Sequence, residues 1–379
     1  MLDFSTVSIG LIIFILFAFA LIAQLWYYLA FFRRLAFYKK KELLVYTPPA
    51  SVIVYARNEE DNLVELLPLI LNQDYPEFEV VVVNDCSYDN TADILDEYTK
   101  KYSSLKIVTV KENKNHYHGK KVALMIGIKG AAHEHLLLTD ASSKPNSKDW
   151  LRNMMQHFTP ETEIVLGYAA FEKQQGFLNK IIRFDNFMIA LQFLSFALAG
   201  KTYMGTGRNL AYKKSLFFKM KGFASHYHIE AGADELFVNE AATKHNSKIE
   251  VEINSHTISR VKKTFNEWIR QKYSSGGTFK HYNLKSKLQL TNLRLSQYLF
   301  FITFITLLIL QFEPIVVLSL FTFRLSVQIV IFNKSMRLLS EKDLLLLSPI
   351  IELVLLAVYP LILIAGIFSG KNKWKKANG

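Results

Sequence analysis

The chain has 379 residues, half of them hydrophobic, and its mean hydropathy lies slightly above zero. This value is high for a wholly soluble protein and low for a protein made only of membrane spans, so composition favours a soluble domain joined to membrane segments. The formal charge of +12 is dispersed, with many cations beside apolar runs. It therefore favours anionic lipid headgroups and a phosphate-bearing substrate as partners over nucleic acid. A single cysteine, Cys86, excludes an intrachain disulfide and fits a reducing compartment.

The first predicted element is an N-terminal membrane anchor, residues 1–34. Residues 4–32 carry no charge and would form a helix about 44 Å long, which can cross a hydrocarbon core of about 30 Å. The run is too long for the apolar part of a signal peptide and has no basic region before it, which indicates a retained anchor. A basic cluster follows and marks the cytoplasmic side, so the next domain is expected in the cytoplasm. The cluster is Arg33, Arg34, Lys39, Lys40 and Lys41.

Between Ala50 and about Ala170, short β-branched runs alternate with amphipathic segments. Strands buried on both faces and separated by helices of this length predict an α/β fold with a doubly wound, mostly parallel sheet, in a domain spanning residues 43–290. The predicted strands are Ser51–Ala56, Glu79–Asn84, Lys106–Val110, His135–Thr139 and Glu163–Ala169. The predicted helices are Asp61–Leu71, Thr91–Tyr102 and Lys120–Ala132.

Polar residues follow three of the predicted strands. Arg57, Asn58 and Glu59 follow the first, Asp85 ends the second and Asp140 the fourth. Ligands of doubly wound sheets bind at the carboxyl ends of the strands, so these residues are the first candidates for a binding site.

The C-terminal third returns to the membrane. Residues 294–370 contain three apolar stretches, Ser296–Phe312, Pro314–Asn333 and Leu353–Gly370, followed by a basic tail, residues 371–379. Three crossings would place that tail outside, against the preference of basic residues for the cytoplasm. One stretch is therefore expected to be interfacial or re-entrant. The candidates are the stretch that contains Arg324 and the stretch that follows Glu352 and contains Pro360. Before this region, Thr264–Glu267 (TFNE) has the form of a capping box.

Several motifs resemble, in order and spacing, those of the membrane-bound glycosyltransferases of family 2, in the nucleotide-diphospho-sugar transferase superfamily. The motifs are SVIVYARNEEDNL, EVVVVNDCSYDNT, HGKKVAL, LLLTD, YMGTGRNLAYKKSLF and GADELFVNEA. The resemblance covers roughly Ser51 to Tyr273. It implies a fold of the nucleotide-diphospho-sugar transferase type and inverting transfer of a sugar from a nucleotide-diphospho-sugar.

The resemblance assigns donor binding to the strand ends. Asp85 is expected to accept a hydrogen bond from the imide N–H of a uracil-type base, although an alternative is a cap on the Thr91 helix, for which Asp89 is better placed. Arg57, Asn58 and Glu59 resemble the turn that contacts ribose and base, or they only begin the next helix. Lys120 and Arg208 are expected near the donor, with Arg208 neutralising the diphosphate.

The family expects Asp-x-Asp after the fourth strand, where two carboxylates and a diphosphate complete the oxygen shell of Mg²⁺ or Mn²⁺. The sequence has Asp140-Ala141-Ser142. Because Mg²⁺ often takes one or two protein carboxylates plus phosphates and water, Asp140 is the expected metal ligand. The affinity of the site for the ion should be lower than that of a site with two carboxylates. The alternative is that Asp140 is a cap or turn residue before Pro145.

Inverting transfer needs a base near the acceptor hydroxyl. Asp234 is the expected base and Glu235 the second candidate, although charge complementing a helix dipole explains at least one of the two. Gln271 matches the first position of the family's Gln/Arg-x-x-Arg-Trp motif at the acceptor channel. Three departures fall on these signatures, at Ser142, at Ala233 and at Ser274 with Ser275.

The sequence therefore predicts a multi-pass cell-membrane glycosyltransferase with a cytoplasmic catalytic domain. Spans beside the domain favour a lipid-linked or polysaccharide acceptor, as in cell-envelope glycan synthesis. An alternative is a non-catalytic relative that binds a nucleotide-sugar and serves as a membrane scaffold in a glycan or glycolipid assembly. A transporter is disfavoured, because about 250 residues of soluble pattern dominate the chain.

Overall fold

The computed structural model describes residues 4–40, 46–111, 119–261 and 264–368. The predicted basic tail lies outside these residues. The α-helices are α1 Phe4–Trp26, α2 Arg33–Ala36, α3 Glu60–Leu71, α4 Thr91–Lys101, α5 Lys120–Gly130, α6 Trp150–Met155, α7 Phe177–Leu198, α8 Lys214–Lys219, α9 Ala233–Ala241, α10 Phe265–Gly276, α11 Leu284–Ile309, α12 Pro314–Leu338 and α13 Ser348–Phe368. The strands are β1 Ala50–Ala56, β2 Phe78–Asp85, β3 Leu105–Val110, β4 His135–Asp140, β5 Ser143–Pro145, β6 Ile164–Gly167, β7 Ala169–Phe171, β8 Leu210–Lys213, β9 Ser247–Glu250 and β10 Thr257–Ser259.

The central sheet has seven strands in the order β3-β2-β1-β4-β8-β6-β9. Strands β1 to β4 are mutually parallel where they pair, and β8 runs antiparallel to both β4 and β6. The apolar runs of β1 and β2 are buried because helices cover both faces of the sheet. The prediction of a doubly wound, mostly parallel α/β sheet is confirmed, and the three predicted helices correspond to α3, α4 and α5.

A small second sheet lies beyond the carboxyl end of β4. It has the order β5-β10-β7, with β10 antiparallel to β5 and parallel to β7. The strand predicted at residues 163–169 divides between the two sheets, since β6 pairs in the large sheet and β7 in the small one. The capping box at Thr264 and Glu267 is confirmed by reciprocal backbone-to-side-chain hydrogen bonds of 3.3 Å each.

Helix α7 has no counterpart among the elements predicted from the sequence. It is apolar for most of its length, and most of its residues are buried between the sheet and the terminal helices. One hydrophobic cluster runs from strand residues such as Ile53 and Val83 through Phe184 of α7 to Phe332 of α12 and Leu355 of α13. The sheet and the terminal helices therefore share a core.

Within the described residues, four helices are long and apolar enough to cross a membrane, judged by length and composition: Ile9–Ala36, Phe177–Leu198, Leu284–Ile309 and Pro314–Leu338. The first includes a π-helical turn, Tyr27–Phe32, between α1 and α2. Large apolar side chains point outward from three of the four, as at Ile12, Ile302 and Ile315. Helix α13 is a shorter apolar candidate over Ser348–Ile362.

A polar network lies buried among these apolar helices. The Arg324 guanidinium of α12 is 3.1 Å from a carboxylate oxygen of Glu352 of α13, and both side chains are almost inaccessible. Glu352 also accepts hydrogen bonds from Gln297 of α11 and Gln328 of α12, at 2.6 and 2.7 Å. Arg324 donates in addition to Gln24 of α1 at 3.2 Å. Arg324 and Glu352, which the sequence named as markers of an interfacial or re-entrant stretch, therefore pair with each other and connect four helices.

Candidate active site

The donor-side candidates Asp85 and Asp140 lie on either side of β1, at the carboxyl edge of the sheet. Asp85 ends β2 and Asp140 ends β4, and both strands pair with β1. Two strand spacings separate them, which corresponds to about 10 Å. Asp85 is buried and accepts a hydrogen bond of 2.8 Å from the Tyr55 hydroxyl of β1. Burial and the nearby Asp85 charge raise the pKa of Tyr55, so the phenol stays protonated and donating.

The turn after β1 is joined to the loop after β2. The side-chain oxygen of Asn58 accepts from the backbone N–H of Tyr88 at 2.8 Å, and the N–H of Asn58 donates to Ser87 at 3.0 Å. The N–H of Glu59 donates to Thr91 at 3.0 Å. Asn58 adopts a left-handed backbone conformation, with φ of 53°, and the neighbouring Arg57 is exposed. The turn is therefore built to a fixed shape beside Asp85.

Asp89, not Asp85, accepts hydrogen bonds from the start of α4. Its carboxylate oxygens accept from the N–H groups of Thr91 and Glu60, each at 3.1 Å. Partial burial raises the pKa of Asp89, but these hydrogen bonds outweigh it and the pKa is lowered. Asp85 instead accepts from Tyr55, so the contacts of these residues do not support the alternative of Asp85 as a helix cap.

Lys120 meets Asp140 at the other side of β1. Lys120 is the first residue of α5, and its Nζ lies 2.5 Å from Asp140 Oδ1. The ammonium also lies 5.0 Å from the centre of the Tyr55 ring. Desolvation lowers the pKa of Lys120, but the charges of Asp140 and Asp234 outweigh it and raise the pKa. Lys120 is therefore a charged ammonium between the two carboxylates.

Asp234 is a buried acid in the first turn of α9. Its Oδ1 has no hydrogen-bond partner among the described residues. Burial raises the pKa of Asp234, Lys120 opposes this and Asp140 adds to it. A carboxylate with a raised pKa and an unpaired oxygen can accept a proton, which is the property of a general base.

Gly207 provides the room for this carboxylate. A Cβ at position 207 would lie 1.8 Å from Oδ2 of Asp234. Gly207 belongs to the loop between α7 and β8, so the loop and α9 approach as closely as they do only because position 207 has no side chain.

Glu235 is held by hydroxyl groups of the segment before α11. Its Oε1 accepts from Thr278 at 2.8 Å and from the hydroxyl of Tyr282. Burial raises the pKa of Glu235, and these two hydrogen bonds oppose the effect. The arrangement gives Glu235 a positioning role and leaves Asp234 as the acid with an unpaired oxygen.

Arg208 projects into the same space from the residue next to Gly207. Its guanidinium donates to Ser259 and Asn186, at 3.1 and 3.0 Å, and lies 4.5 Å from the centre of the Phe171 ring. Burial lowers the pKa of Arg208, and the nearby Asp140 charge opposes the shift. Its hydrogen-bond partners are neutral, so its charge remains available to an anion.

A cavity of about 750 Å³ connects these groups. Six of the site residues predicted from the sequence line this cavity: Lys120, Asp140, Arg208, Asp234, Glu235 and Gln271. Arg57, Asn58, Glu59 and Asp85 are not among its lining residues. The cavity continues between α7, α10, α11 and α13, so its inner end lies beside the apolar helices.

The three departures from the family motifs have different surroundings. Ser142 is partly exposed, two residues after Asp140, and Ala233 is buried at the start of α9. Ser274 lies in α10, but its side chain is outside the described residues. Within the part of the chain that the structure describes, no group of three His, Cys, Asp or Glu residues could hold a metal ion.

Four structural contributors were not singled out from the sequence. They are Tyr55, Gly207, Asp185 and Lys121. Tyr55 donates a hydrogen bond to Asp85, and Gly207 leaves room for the Asp234 carboxylate. Asp185 pairs with Lys272 in the cavity wall. The buried Lys121 ammonium donates to the backbone carbonyls of His226 and Ile229, at 2.7 Å each, and so fixes the loop before α9. Burial lowers its pKa to about 8. The motifs HGKKVAL and YMGTGRN contain two of the four, but nothing in them reveals the distant partners.

We expect Gly207→Ala to lower activity about 10²-fold, because the new methyl group displaces the Asp234 carboxylate and misplacing a catalytic group by about 1 Å can cost that much. The measurement is the initial rate of the purified variant at saturating donor. Gly276→Ala is the matched control, since Gly276 also lines the cavity and a Cβ there meets no atom within 4 Å. Equal rates for the two variants would contradict this role of Gly207.

The fold is that of a GT-A-like nucleotide-sugar transferase. The solved structure "Mannosyltransferase PcManGT from Pyrobaculum calidifontis in complex with GDP-Man and Mn2+" superposes with a TM-score of 0.57 over 90% of this chain and 97% of the other, at 20% identity. Residues 51–220 match the model of the family "Glycosyl transferase family 2". Residues 51–220 therefore contain a glycosyltransferase family 2 domain.

Two relatives share part of this domain. Poly-beta-1,6-N-acetyl-D-glucosamine synthase of Staphylococcus epidermidis is 32% identical over 133 residues, which are 35% of this chain and 31% of the relative. The poly(ribitol-phosphate) beta-N-acetylglucosaminyltransferase TarS of Staphylococcus aureus is 37% identical over 100 residues, 26% of this chain and 17% of the relative. The chain thus aligns with less than a third of the length of either protein.

Proposed function

We propose that the protein is a membrane-anchored, inverting glycosyltransferase that moves a sugar from a nucleotide-diphospho-sugar to a lipid-linked or glycan acceptor. The observation that carries the proposal is Asp234, a buried carboxylate of raised pKa with an unpaired oxygen, facing a cavity that also contains Lys120 and Arg208. Residues 51–220, which include Lys120 and Arg208, match the family 2 model, and this match supports a nucleotide-sugar donor for these groups to act on.

The reaction follows from the placement of these groups. An acceptor hydroxyl attacks the anomeric carbon and forms the new C–O bond, while the bond from that carbon to the diphosphate breaks. The nucleoside diphosphate leaves with the electron pair, and the hydroxyl proton passes to Asp234. Lys120 and Arg208 stabilise the charge that develops on the leaving diphosphate.

The nucleoside occupies the edge formed by Asp85 and the turn of Arg57, Asn58 and Glu59. Asp85 is an acceptor for a base N–H, and Tyr55 fixes its orientation by donating to one oxygen. The rigid turn beside it presents Arg57 to solvent, where it can meet ribose or phosphate. The related mannosyltransferase structure contains GDP-Man, a donor of this chemical class.

A divalent cation, Mg²⁺ or Mn²⁺, fits Asp140 when the donor diphosphate supplies further oxygen ligands. The fit rests on a single protein carboxylate that already pairs with Lys120 through Oδ1, so Oδ2 is the oxygen that would hold the ion. The bound ion would neutralise diphosphate charge, which Lys120 and Arg208 also do from the protein side.

We expect Ser142→Asp to lower the concentration of Mg²⁺ or Mn²⁺ needed for half-maximal activity about tenfold, because a second carboxylate adds charge and an oxygen ligand beside Asp140. The measurement is a titration of activity against each metal. Ser142→Asn is the control of similar size without charge and should resemble the wild type. An unchanged metal requirement in the aspartate variant would contradict the placement of the ion at Asp140.

The apolar helices support an acceptor that approaches from the membrane. We assign the helix from Ile9 to Ala36 together with α11 and α12 as crossings, with α13 completing the bundle. Helix α7 fits by length, but its burial against the sheet makes it part of the cytoplasmic domain. The inner end of the cavity reaches α11 and α13, so an acceptor held by the bilayer has a short path to Asp234.

The direct test is transfer of labelled sugar by membranes containing the full chain, with a panel of uridine and guanosine diphospho-sugars and added Mg²⁺ or Mn²⁺. Formation of labelled lipid or polymer supports the proposal. Thermal stabilisation of the solubilised protein identifies the donor, since a ligand that binds only the folded state raises its stability. Absence of transfer across the panel would refute the enzyme, and donor binding without transfer would favour the non-catalytic scaffold.

A further inference from the structure

The inner end of the cavity contains an arginine that the proposed sugar transfer does not use. Arg294 of α11 lines the cavity with the apolar side chains of Leu290, Leu295 and Ile189. Its guanidinium lies 5.0 Å from the centre of the Tyr359 ring of α13 and is held over that face. The site is distinct from the donor edge, because Asp85 and the Arg57 turn do not line the cavity.

Another cation of the inner wall, Lys272, has an ion-pair partner. Lys272 pairs with Asp185, which also accepts from the Tyr359 hydroxyl. Nearer the sheet, Lys120 pairs with Asp140, and Glu235 accepts from two hydroxyls. Among the described residues, no carboxylate lies within 4 Å of the Arg294 guanidinium. Arg294 therefore has no direct ion-pair partner among these residues, and it contacts the side chain of Tyr359, whose hydroxyl also bonds Asp185.

Arg294 stands at a boundary in the sequence of α11. Lys285 and Lys287 precede it, and residues 295–312 contain no charge. Leu295, the next residue, and Ile302, about two turns further on, expose apolar surface. A guanidinium at the start of such a stretch lies at the depth of lipid headgroups, with the hydrocarbon region beside the following turns.

We propose that this inner end binds the phosphate of a phosphate-bearing lipid acceptor, with Arg294 as the phosphate ligand and the lipid chain leaving along α11. The guanidinium fork suits phosphate oxygens, because it donates two parallel hydrogen bonds. The sugar or hydroxyl carried by that phosphate then points along the cavity towards Asp234. This inference rests on the proposed function and narrows its acceptor to an anionic lipid.

The test uses the full chain in detergent, with submicellar dodecyl phosphate as probe and thermal stabilisation as readout. Dodecanol supplies the chain without phosphate, and inorganic phosphate supplies the anion without a chain. We expect dodecyl phosphate to bind best, and Arg294→Gln to weaken its binding about tenfold or more, because a charge-assisted hydrogen bond is about twice as strong as a neutral one. Lys285→Gln, an exposed change on the same helix, should leave binding unchanged.

Several results would overturn the proposal. They are equal affinity of the wild type and Arg294→Gln, equal binding of dodecanol and dodecyl phosphate, or equal binding of inorganic phosphate alone. Stabilisation by a neutral oligosaccharide without any effect of dodecyl phosphate would point to a glycan acceptor instead. Thermal stabilisation by the nucleotide-sugar donor is measured on the same preparations and should be the same in the wild type and in Arg294→Gln. If the donor does not stabilise the wild type, the proposed function fails, and this result is independent of the lipid site.

Discussion

Asp234→Asn is expected to lower kcat/KM for sugar transfer by about 10²- to 10⁴-fold, the usual contribution of a general base. The amide keeps the size of the side chain in the space that Gly207 provides, but it cannot accept the acceptor proton. The measurement compares transfer rates with donor affinity, and donor affinity should change little because the donor edge is untouched.

Glu235→Gln is the control for this variant. Its carboxylate accepts from Thr278 and Tyr282, so the amide still accepts through its carbonyl oxygen and the rate should fall much less. If Glu235→Gln lost more activity than Asp234→Asn, the two roles would have to be exchanged.

The pH profile gives an independent readout of the same base. Because burial raises the pKa of Asp234 above the usual range of aspartates, the wild-type rate should rise with pH through that higher value and fall as acid protonates the carboxylate. The residual activity of Asp234→Asn should lack this acidic limb. A limb that persists unchanged in the variant would assign it to another group.

Arg324→Met is expected to lower the free energy of unfolding by about 3 to 5 kcal/mol, the usual cost of leaving one partner of a buried ion pair uncompensated. Glu352 would lose its only cationic partner among the described residues and would keep hydrogen bonds from Gln297 and Gln328 alone. The measurement is the thermal unfolding midpoint of the solubilised protein.

Arg337→Met is the matched control on the same helix. Arg337 is exposed near the end of α12 and donates to Asn333 of its own helix, so its loss should change stability by less than about 0.5 kcal/mol. Similar midpoints for the two variants would show that the buried pair contributes little to holding the helices together.

The fold was largely predictable where the signal is local. The runs of β1, β2 and β4 are apolar without alternation, which is typical of strands covered on both faces, and they lie where the sequence predicted them. Helix α7 was not predictable in the same way. Its apolar residues are interrupted by Arg183, Asp185 and Asn186, whose partners lie outside the helix. The pattern therefore indicates neither a clear span nor a clear amphipathic helix.

For the candidate site too, some residues were predictable from the sequence, whereas the contacts between them were not. Asp85 and Asp140 were found because they end predicted strands, and Asp234 was found because GADELFVNEA resembles a motif of the family. The contacts that decide what each acid can do were not visible. The hydroxyl of Tyr55 reaches Asp85 across 30 positions, and Gly207 makes room for an acid 27 positions later. These are consequences of strand order and of loop approach, which no local pattern encodes.

The shared core of sheet, α7 and terminal helices has a consequence for how the chain is made. Side chains of β1 and β2 pack in one cluster with Phe332 and Leu355, which are synthesised nearly 300 positions after the first strand. The strand side chains therefore keep an uncovered apolar face until the C-terminal helices have been synthesised. A fragment of residues 43–290 would lack Phe332 and Leu355, so we expect it to expose that face and to be less soluble than the full chain.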